Sequence, residues 1–326
     1  MNILIEGENQ KNYYAKLHEA YRTGLRRTFN AKFWGKGYEE YDESVKSFVQ
    51  IKEKLFGDEQ IDFLLLTDCY DPQNYAKGIS YCDLDKINCK KIIMLCDFWS
   101  EASCKFSEYE EFIESLKIDY IFSFFRYPLN AWKKSKIYNK LIWFPPSFDP
   151  LIFNDWKKEK IWDVGNLNAA IHTFDKFYPE RYNMHMILSG MEDIKYFTAR
   201  HPGSGMKAPN TPLIGKSFSE AINSCKLFVT SGNLIYRNYA PKYVEIMASK
   251  TCLLAFEPMD SELIGLVDGI NYVKIDEHNL EEKVRYYINH DQERKKIAEN
   301  GYQFVLNNYS CYALALRIYD ELRMRL

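Results

Sequence analysis

No apolar run in this sequence approaches the ~20 residues that a membrane-spanning helix needs. The most hydrophobic stretches, KIIMLC (91–96) and CLLAF (252–256), are short. The opening MNILIEGENQ has no basic segment ahead of an apolar one and no small-residue cleavage site, so no secretory leader is expected. None of the eight cysteines forms a C-x-x-C pair. A chain of this length needs no disulfide staples, so reduced thiols and a cytoplasmic location are expected. Charge of one sign is missing too. With 43 Lys and Arg against 45 Asp and Glu, the formal net charge is -2. That gives no global pull toward nucleic acid, and no nucleic-acid partner is expected; contact with a membrane surface stays open. The sequence has no G-x-x-x-x-G-K-S/T, no G-x-S-x-G and no H-E-x-x-H, and no G-x-G-x-x-G follows its first apolar run. These absences argue against P-loop, serine-hydrolase, zincin and dinucleotide chemistry, and no metal or resident cofactor is expected.

What is present describes a globular protein. The 326 residues are 46% hydrophobic and 27% charged, more than one hydrophobic core usually holds. Aromatics reach 16%; they read either as stacking platforms for sugar rings or as ordinary core residues. Short apolar runs alternate with amphipathic stretches. NILIE (2–6), DFLLLT (62–67), KIIMLC (91–96) and DYIFSF (119–124) read as strands, with helices over 12–27 and 106–116. LIWFPPSFDPLIF (141–153) holds three prolines and reads as a crossing between domains. The alternation then restarts, with strands over 161–164, 184–188, 226–230, 252–256 and 271–275. Helices are expected around 174–177 and over 218–224, 241–249, 280–289, 293–307 and 312–325. Apolar strands separated by helices predict an α/β protein of two Rossmann-like, doubly wound domains facing across a cleft. The boundaries drawn are 1–150 for an acceptor domain and 151–310 for a donor domain, then a helix over 311–326 able to cross back to the first domain.

Tyr236–Phe256, YRNYAPKYVEIMASKTCLLAF, is the richest segment chemically. Pro241 suits the first position of a helix, which leaves Ala240 as a poor cap unless Asn238 serves. Lys242 in the first turn opposes the helix dipole. A helix that starts uncapped and positive fits a site that an anion such as a nucleotide diphosphate completes. Glu245 lies on the same face, three residues on, where a carboxylate can hold ribose hydroxyls while Lys242 holds phosphate. A surface Lys–Glu pair is the ordinary alternative.

PKYVEIMASKTCLLAF resembles the K-x-x-E-x-M/A-A segment of group 1 GT-B glycosyltransferases. The branch that includes the spore-maturation CgeB-like proteins is closer still. The similarity extends through DVG (163–165), YPER (178–181), RHPG (200–203), SELIGLVDGIN (261–271) and ERKKIAENG (293–301), covering about residues 160–315. It implies a GT-B fold and a hexosyltransferase-type activity without an essential metal. A sugar would pass from a nucleotide-diphosphate donor, a UDP- or GDP-sugar, to a hydroxyl of a glycan, glycoprotein or other acceptor. A surface polysaccharide or glycoconjugate would be the product. Carried over, Glu245 would bind ribose and Lys242 the diphosphate, with Gly165 letting backbone approach the phosphates. Many retaining members have a second Glu eight positions earlier, where this chain has Arg237. Arg237 would then serve the leaving phosphate or lie on the surface, and stereochemistry is not assigned.

Further candidates come from loop chemistry. Arg200 and His201 precede a turn-forming Pro-Gly-Ser-Gly run, and His201 could protonate the departing phosphate or be a plain loop histidine. Ser231 and Gly232 follow an apolar strand, where a backbone nest for an anion or a simple turn is expected. Asp68, Asp71 and Asp97 stand at strand carboxyl ends, and Asp97 is the preferred acceptor base, with capping or ion pairing as the plainer role. Two rival functions remain: a sugar-nucleotide epimerase on the same fold, and a catalytically silent GT-B module that binds a partner or glycan.

Overall fold

The computed structural model of the chain describes residues 1–9, 17–67, 81–95, 106–124, 126, 133–199, 213–234 and 237–325. The chain forms two compact units, one of Met1–Lys11 and Tyr21–Pro145, the other of Asn12–Ala20 and Pro146–Leu326. The division between Pro145 and Pro146 falls inside the proline-rich stretch 141–153.

The first unit carries six strands: β1 (Asn2–Glu6), β2 (Asn30–Trp34), β3 (Phe63–Leu66), β4 (Lys90–Leu95), β5 (Tyr120–Ser123) and β6 (Leu141–Trp143). They form one sheet in the order β2-β1-β3-β4-β5-β6, with every neighbouring pair parallel. All of FLLL in β3 is buried, and so is all of β4 after its first lysine. Such strands are covered on both faces, which is why they read as continuous apolar runs. Several elements of this unit escape the sequence reading, β6 among them, which takes the first three residues of the stretch expected to be a crossing. Strand β2, NAKFW, buries only Phe33 and Trp34 at its end, as an edge strand can. The Phe48–Phe56 helix is started by Ser47, whose hydroxyl accepts from Gln50 N–H at 3.3 Å. The Asp83 carboxylate adds bonds from the N–H groups of Phe48 and Val49 at 3.1 and 3.3 Å. Capping from so far along the chain has no local sequence signal. Asp68, Asp71 and Asp97 lie outside the described residues.

The second unit has five strands: β7 (Trp162–Asn166), β8 (Tyr196–Thr198), β9 (Cys225–Thr230), β10 (Cys252–Ala255) and β11 (Val273–Lys274). Their order is β11-β10-β9-β7-β8, again parallel throughout. The structure corrects one stretch. No helix covers 174–177, and the strand expected over 184–188 is instead part of a helix, Pro179–Ser189. Pro179 holds its first position. Met184 and Leu188, four apart, face the core, while Met186 between them is 54% exposed. That spacing is helical, and the density of apolar residues in MHMIL hides it. The true strand, β8, is the short YFT pairing with β7.

Two glycines set how closely these elements pack. A Cβ at Gly165, within β7, would stand 2.5 Å from the Phe228 ring and 2.8 Å from the Cys225 sulfur. The Asp291–Tyr309 helix meets the Pro241–Ala248 helix at Gly301, where a Cβ would lie 2.6 Å from Asn271 O and 3.2 Å from Met247 Cγ. Asn271 itself is fixed, accepting from Val267 N–H and donating to Gly265 O, both at 2.8 Å. The Cys311–Arg323 helix is capped by Ser310, and Cys311 N–H donates to Phe148 O at 2.8 Å, both within the second unit. Among the described residues no helix is long and apolar enough to cross a membrane.

The Gly301 contact yields a prediction with a definite sign. By helix propensity alone, Gly→Ala inside a helix stabilises by about 1 kcal/mol. Crowding against backbone instead costs about 1–3 kcal/mol. Gly301→Ala is expected to lower the melting temperature by several degrees, and a rise in a thermal melt would show that this approach is not tight.

Candidate functional site

In the second unit the carboxyl ends of β7, β9 and β10 lie along one edge, because all the strands run parallel. Ligands of open α/β sheets bind outside that edge, where loops and helix starts converge. Three segments meet here: the residues after β9, the first turn of the Pro179–Ser189 helix and the first turn of the Pro241–Ala248 helix.

The edge is closed by amides. Asn168 Nδ2 donates to Asn166 Oδ1 at 2.8 Å and to Val229 O at 2.9 Å, and the Thr230 hydroxyl donates to Asn168 Oδ1 at 2.7 Å. Beyond Thr230 the backbone turns at Ser231 and Gly232, both buried. The Arg181 guanidinium reaches in from its helix, donating from Nη2 and Nε to Ser231 O at 3.0 and 3.3 Å. It also lies 3.9 Å from the centre of the Tyr178 ring. Burial pushes the Arg181 pKa down, against the pull of Tyr178, Tyr243 and Glu180. Gly232 has no room for a side chain, since a Cβ would come within 2.3 Å of Asn238 O. Asn238 Oδ1 accepts from Asn233 N–H at 2.7 Å, so Asn238 pins this loop and does not cap the next helix.

That next helix starts as the sequence implies. Pro241 is at its first position, Ala240 is the extended cap residue, and no side chain caps it. Lys242 and Glu245 are both half-buried. They do not form the ordinary surface pair: among the described residues neither makes a hydrogen bond or ion pair through its charged group. The Lys242 ammonium instead stands 4.6 Å above the Phe218 ring. Burial lowers its pKa, partly offset by Glu245 and reinforced by Arg181. Burial raises the Glu245 pKa, with Lys242 opposing. Arg237 is exposed and held in the left-handed region at φ 40°. Its N–H donates to Asn233 O at 2.7 Å and its carbonyl accepts from Met259 N–H at 2.9 Å. Strain of this kind costs on the order of 1–3 kcal/mol and clusters at functional sites.

The structure therefore brings Glu245, Lys242, Arg237, Ser231 and Gly232 to one edge. Gly165 ends up inside β7, where packing against Phe228 and Cys225 accounts for the missing side chain. Arg200 and His201 fall outside the described residues, as does Asp97. The reading from sequence misses Glu180 and Arg181 as site residues. Their signal was available, since a residue pair directly after a helix-starting proline lies in the first turn, at the ligand edge.

Residues 187–320 match the glycosyl transferase-like family model. Solved structures match over nearly the whole chain. HepE from Anabaena, solved with UDP and glucose, matches at TM-score 0.64 and 10% identity over 99% of this chain and 100% of its own. An alpha-glucosyltransferase in complex with UDP-glucose and DNA containing an abasic site matches at 0.63 and 13%, over 99% and 98%. Sucrose-phosphate synthase from Thermosynechococcus elongatus matches at 0.59 and 9%, over the same shares. The chain has a GT-B glycosyltransferase fold. No curated protein matches the sequence. In the GT-B frame the family match takes in β8 to β11 and the Pro241–Ala248 helix, so it contains most of the edge described above.

The charge state of this edge makes the unliganded protein pH-sensitive. The carboxyl of Glu245 has its folded pKa above the ordinary 4.5 because of burial. Its contribution to stability is then complete below the unfolded pKa and is lost as pH rises through the folded one. Glu245→Gln is expected to melt higher than wild type at pH 7.5, with the gain fading toward pH 4. A gain that is flat across that range, in parallel melts of both proteins, would contradict the assigned burial.

Proposed function

We propose that the protein is a glycosyltransferase that moves a sugar from a nucleoside-diphosphate sugar to an acceptor hydroxyl. The observation that carries this is the pair Lys242 and Glu245, a cation and a carboxylate in the first two turns of an uncapped helix, neither partnered within the described residues. A diphosphate would satisfy the first-turn N–H of Lys242 and its ammonium together. A ribose diol would satisfy Glu245. We assign the second phosphate to Arg237, and the approach to it to Ser231 and Gly232. UDP is the first nucleotide to try, since HepE and the alpha-glucosyltransferase were solved with UDP or its glucose ester; GDP is the second.

The chemistry assigned to this chain is positional and electrostatic. Bond breaking leaves negative charge on the diphosphate, and preorganised cations stabilise it without reorganising at that moment. No metal is assigned a role. Arg200 and His201 are proposed as further phosphate contacts and Asp97 as the acceptor base, all on the sequence reading alone. The acceptor class we assign is a glycan or glycoconjugate hydroxyl, supported by the resemblance of residues 160–315 to the CgeB-like branch.

The test is a thermal-shift series with UDP, GDP and their sugars, with and without chelator. A ligand at 100 times its Kd stabilises the native state by about 2.7 kcal/mol. Wild type is expected to shift with one nucleoside diphosphate, chelator or not. Glu245→Ala should lose at least about tenfold in affinity, the worth of one charge-assisted hydrogen bond. Unchanged affinity in that variant would remove Glu245 from the site. Conversion of a sugar nucleotide with no acceptor present would point to an epimerase, and the lack of any shift to a silent binding module.

A further inference from the structure

We infer that Glu180 recognises the transferred sugar, its carboxylate accepting hydrogen bonds from sugar hydroxyls. This rests on the glycosyltransferase reading and adds to it a residue that carries no nucleotide role.

Glu180 is the second residue of the Pro179–Ser189 helix and is only 9% exposed, and its Oε2 is sealed from solvent with no partner among the described residues. A carboxylate oxygen left so is expensive unless something arrives to donate to it. The two nearby cations do not relieve it. Arg181 directs Nε and Nη2 at Ser231 O, and Arg237 acts on Glu180 only through space. No ion pair of Glu180 forms with any described residue. Its own backbone N–H reaches the carboxylate, but neither guanidinium closes on it, and Oε2 stays unmet among the described residues. Ser231, whose carbonyl accepts from Arg181, is 1% exposed, and its hydroxyl is equally without a partner among the described residues. The Arg181–Ser231 contact joins the first turn of this helix to the turn after β9, and Leu234 N–H to Phe177 O at 2.9 Å ties the same segments again.

The chemistry of the missing partner follows from what a carboxylate accepts. Phosphate oxygens offer no proton and repel it, so the diphosphate is not its ligand. Hydroxyl groups donate, and a hexose presents several. The other diol of the donor, on the ribose, is assigned to Glu245 on a separate helix. Burial raises the Glu180 pKa, offset in part by its own backbone N–H and then by Arg237 and Arg181. Incoming hydroxyl donors would favour the ionised form and repay that cost on binding.

The experiment is calorimetric titration of wild type and Glu180→Gln with UDP and with UDP-glucose, UDP-galactose and UDP-N-acetylglucosamine. Wild type is expected to bind at least one UDP-sugar more tightly than UDP. Glu180→Gln, which keeps the shape, should lose about tenfold or more on that sugar while UDP stays within about twofold. If Glu180→Gln does not fold by circular dichroism, Glu180→Asp is read the same way. Equal losses on UDP and UDP-sugar, no loss on either, or a wild type that binds UDP and every UDP-sugar alike would overturn the inference. GDP and GDP-mannose are titrated in parallel and read in the same way if wild type prefers them; a wild type that binds none of these nucleotides or sugars would instead sink the glycosyltransferase reading.

Discussion

A guanidinium that is buried must find acceptors for its donors, and Arg181 finds its acceptor in the carbonyl of Ser231. That contact pins the backbone where β9 ends, and much else follows from it. Ser231 and Gly232 sit where they do because the Arg181 fork holds one side of the turn and Asn238 closes on the other. The same contact ties the first turn of one helix to the segment leading into another. Arginine suits this role because its charge is permanent and its planar fork is pre-organised.

The residues around this contact are poorly satisfied by each other. Lys242 rests on an aromatic face, Glu245 and Glu180 have no cationic partner among the described residues, and Arg237 strains its own backbone. Elsewhere the second unit behaves differently. Lys226 pairs with Asp163 at 2.7 Å, and Lys250 bridges Asp155 and Glu299 at 3.2 and 2.7 Å. Ion pairing is available to this chain and is used at the opposite, amino end of the strands. At the carboxyl edge Lys274 still pairs with Glu257 at 2.5 Å, but among the described residues Lys242, Glu245 and Glu180 join no ion pair, which fits groups held ready for a ligand, in keeping with the usual trade between stability and activity.

Much of the architecture was legible because parallel strands buried on both faces announce themselves as apolar runs. β3, β4, β9 and β10 could be found that way. β2 could not, because an edge strand buries only its end. The run MHMIL was taken as a strand since five largely apolar residues leave little contrast, and only the exposure of Met186 separates the two periods. At the site, Pro241 and the spacing of Lys242 and Glu245 were readable because capping and helical geometry are local. Pro179 likewise marks the helix start that carries Arg181, but the contact Arg181 makes was not legible, since its partner lies fifty residues away and no local pattern encodes that. Gly165 was read toward phosphate, but steric crowding from a neighbouring strand explains it, and crowding leaves no trace in one sequence.

The Pro241–Ala248 helix is eight residues long, too short to hold its shape alone in water. Its direction is set by the long helix that backs it through Gly301, and by the Asn271 turn that meets the same glycine. The orientation of Lys242 and Glu245 is thus inherited from a stretch that begins fifty residues later. For recombination between related chains, natural or engineered, this makes β9 through Tyr309 a single unit of exchange. A crossover placed between the site helix and Gly301 would join two halves that had never been fitted to each other.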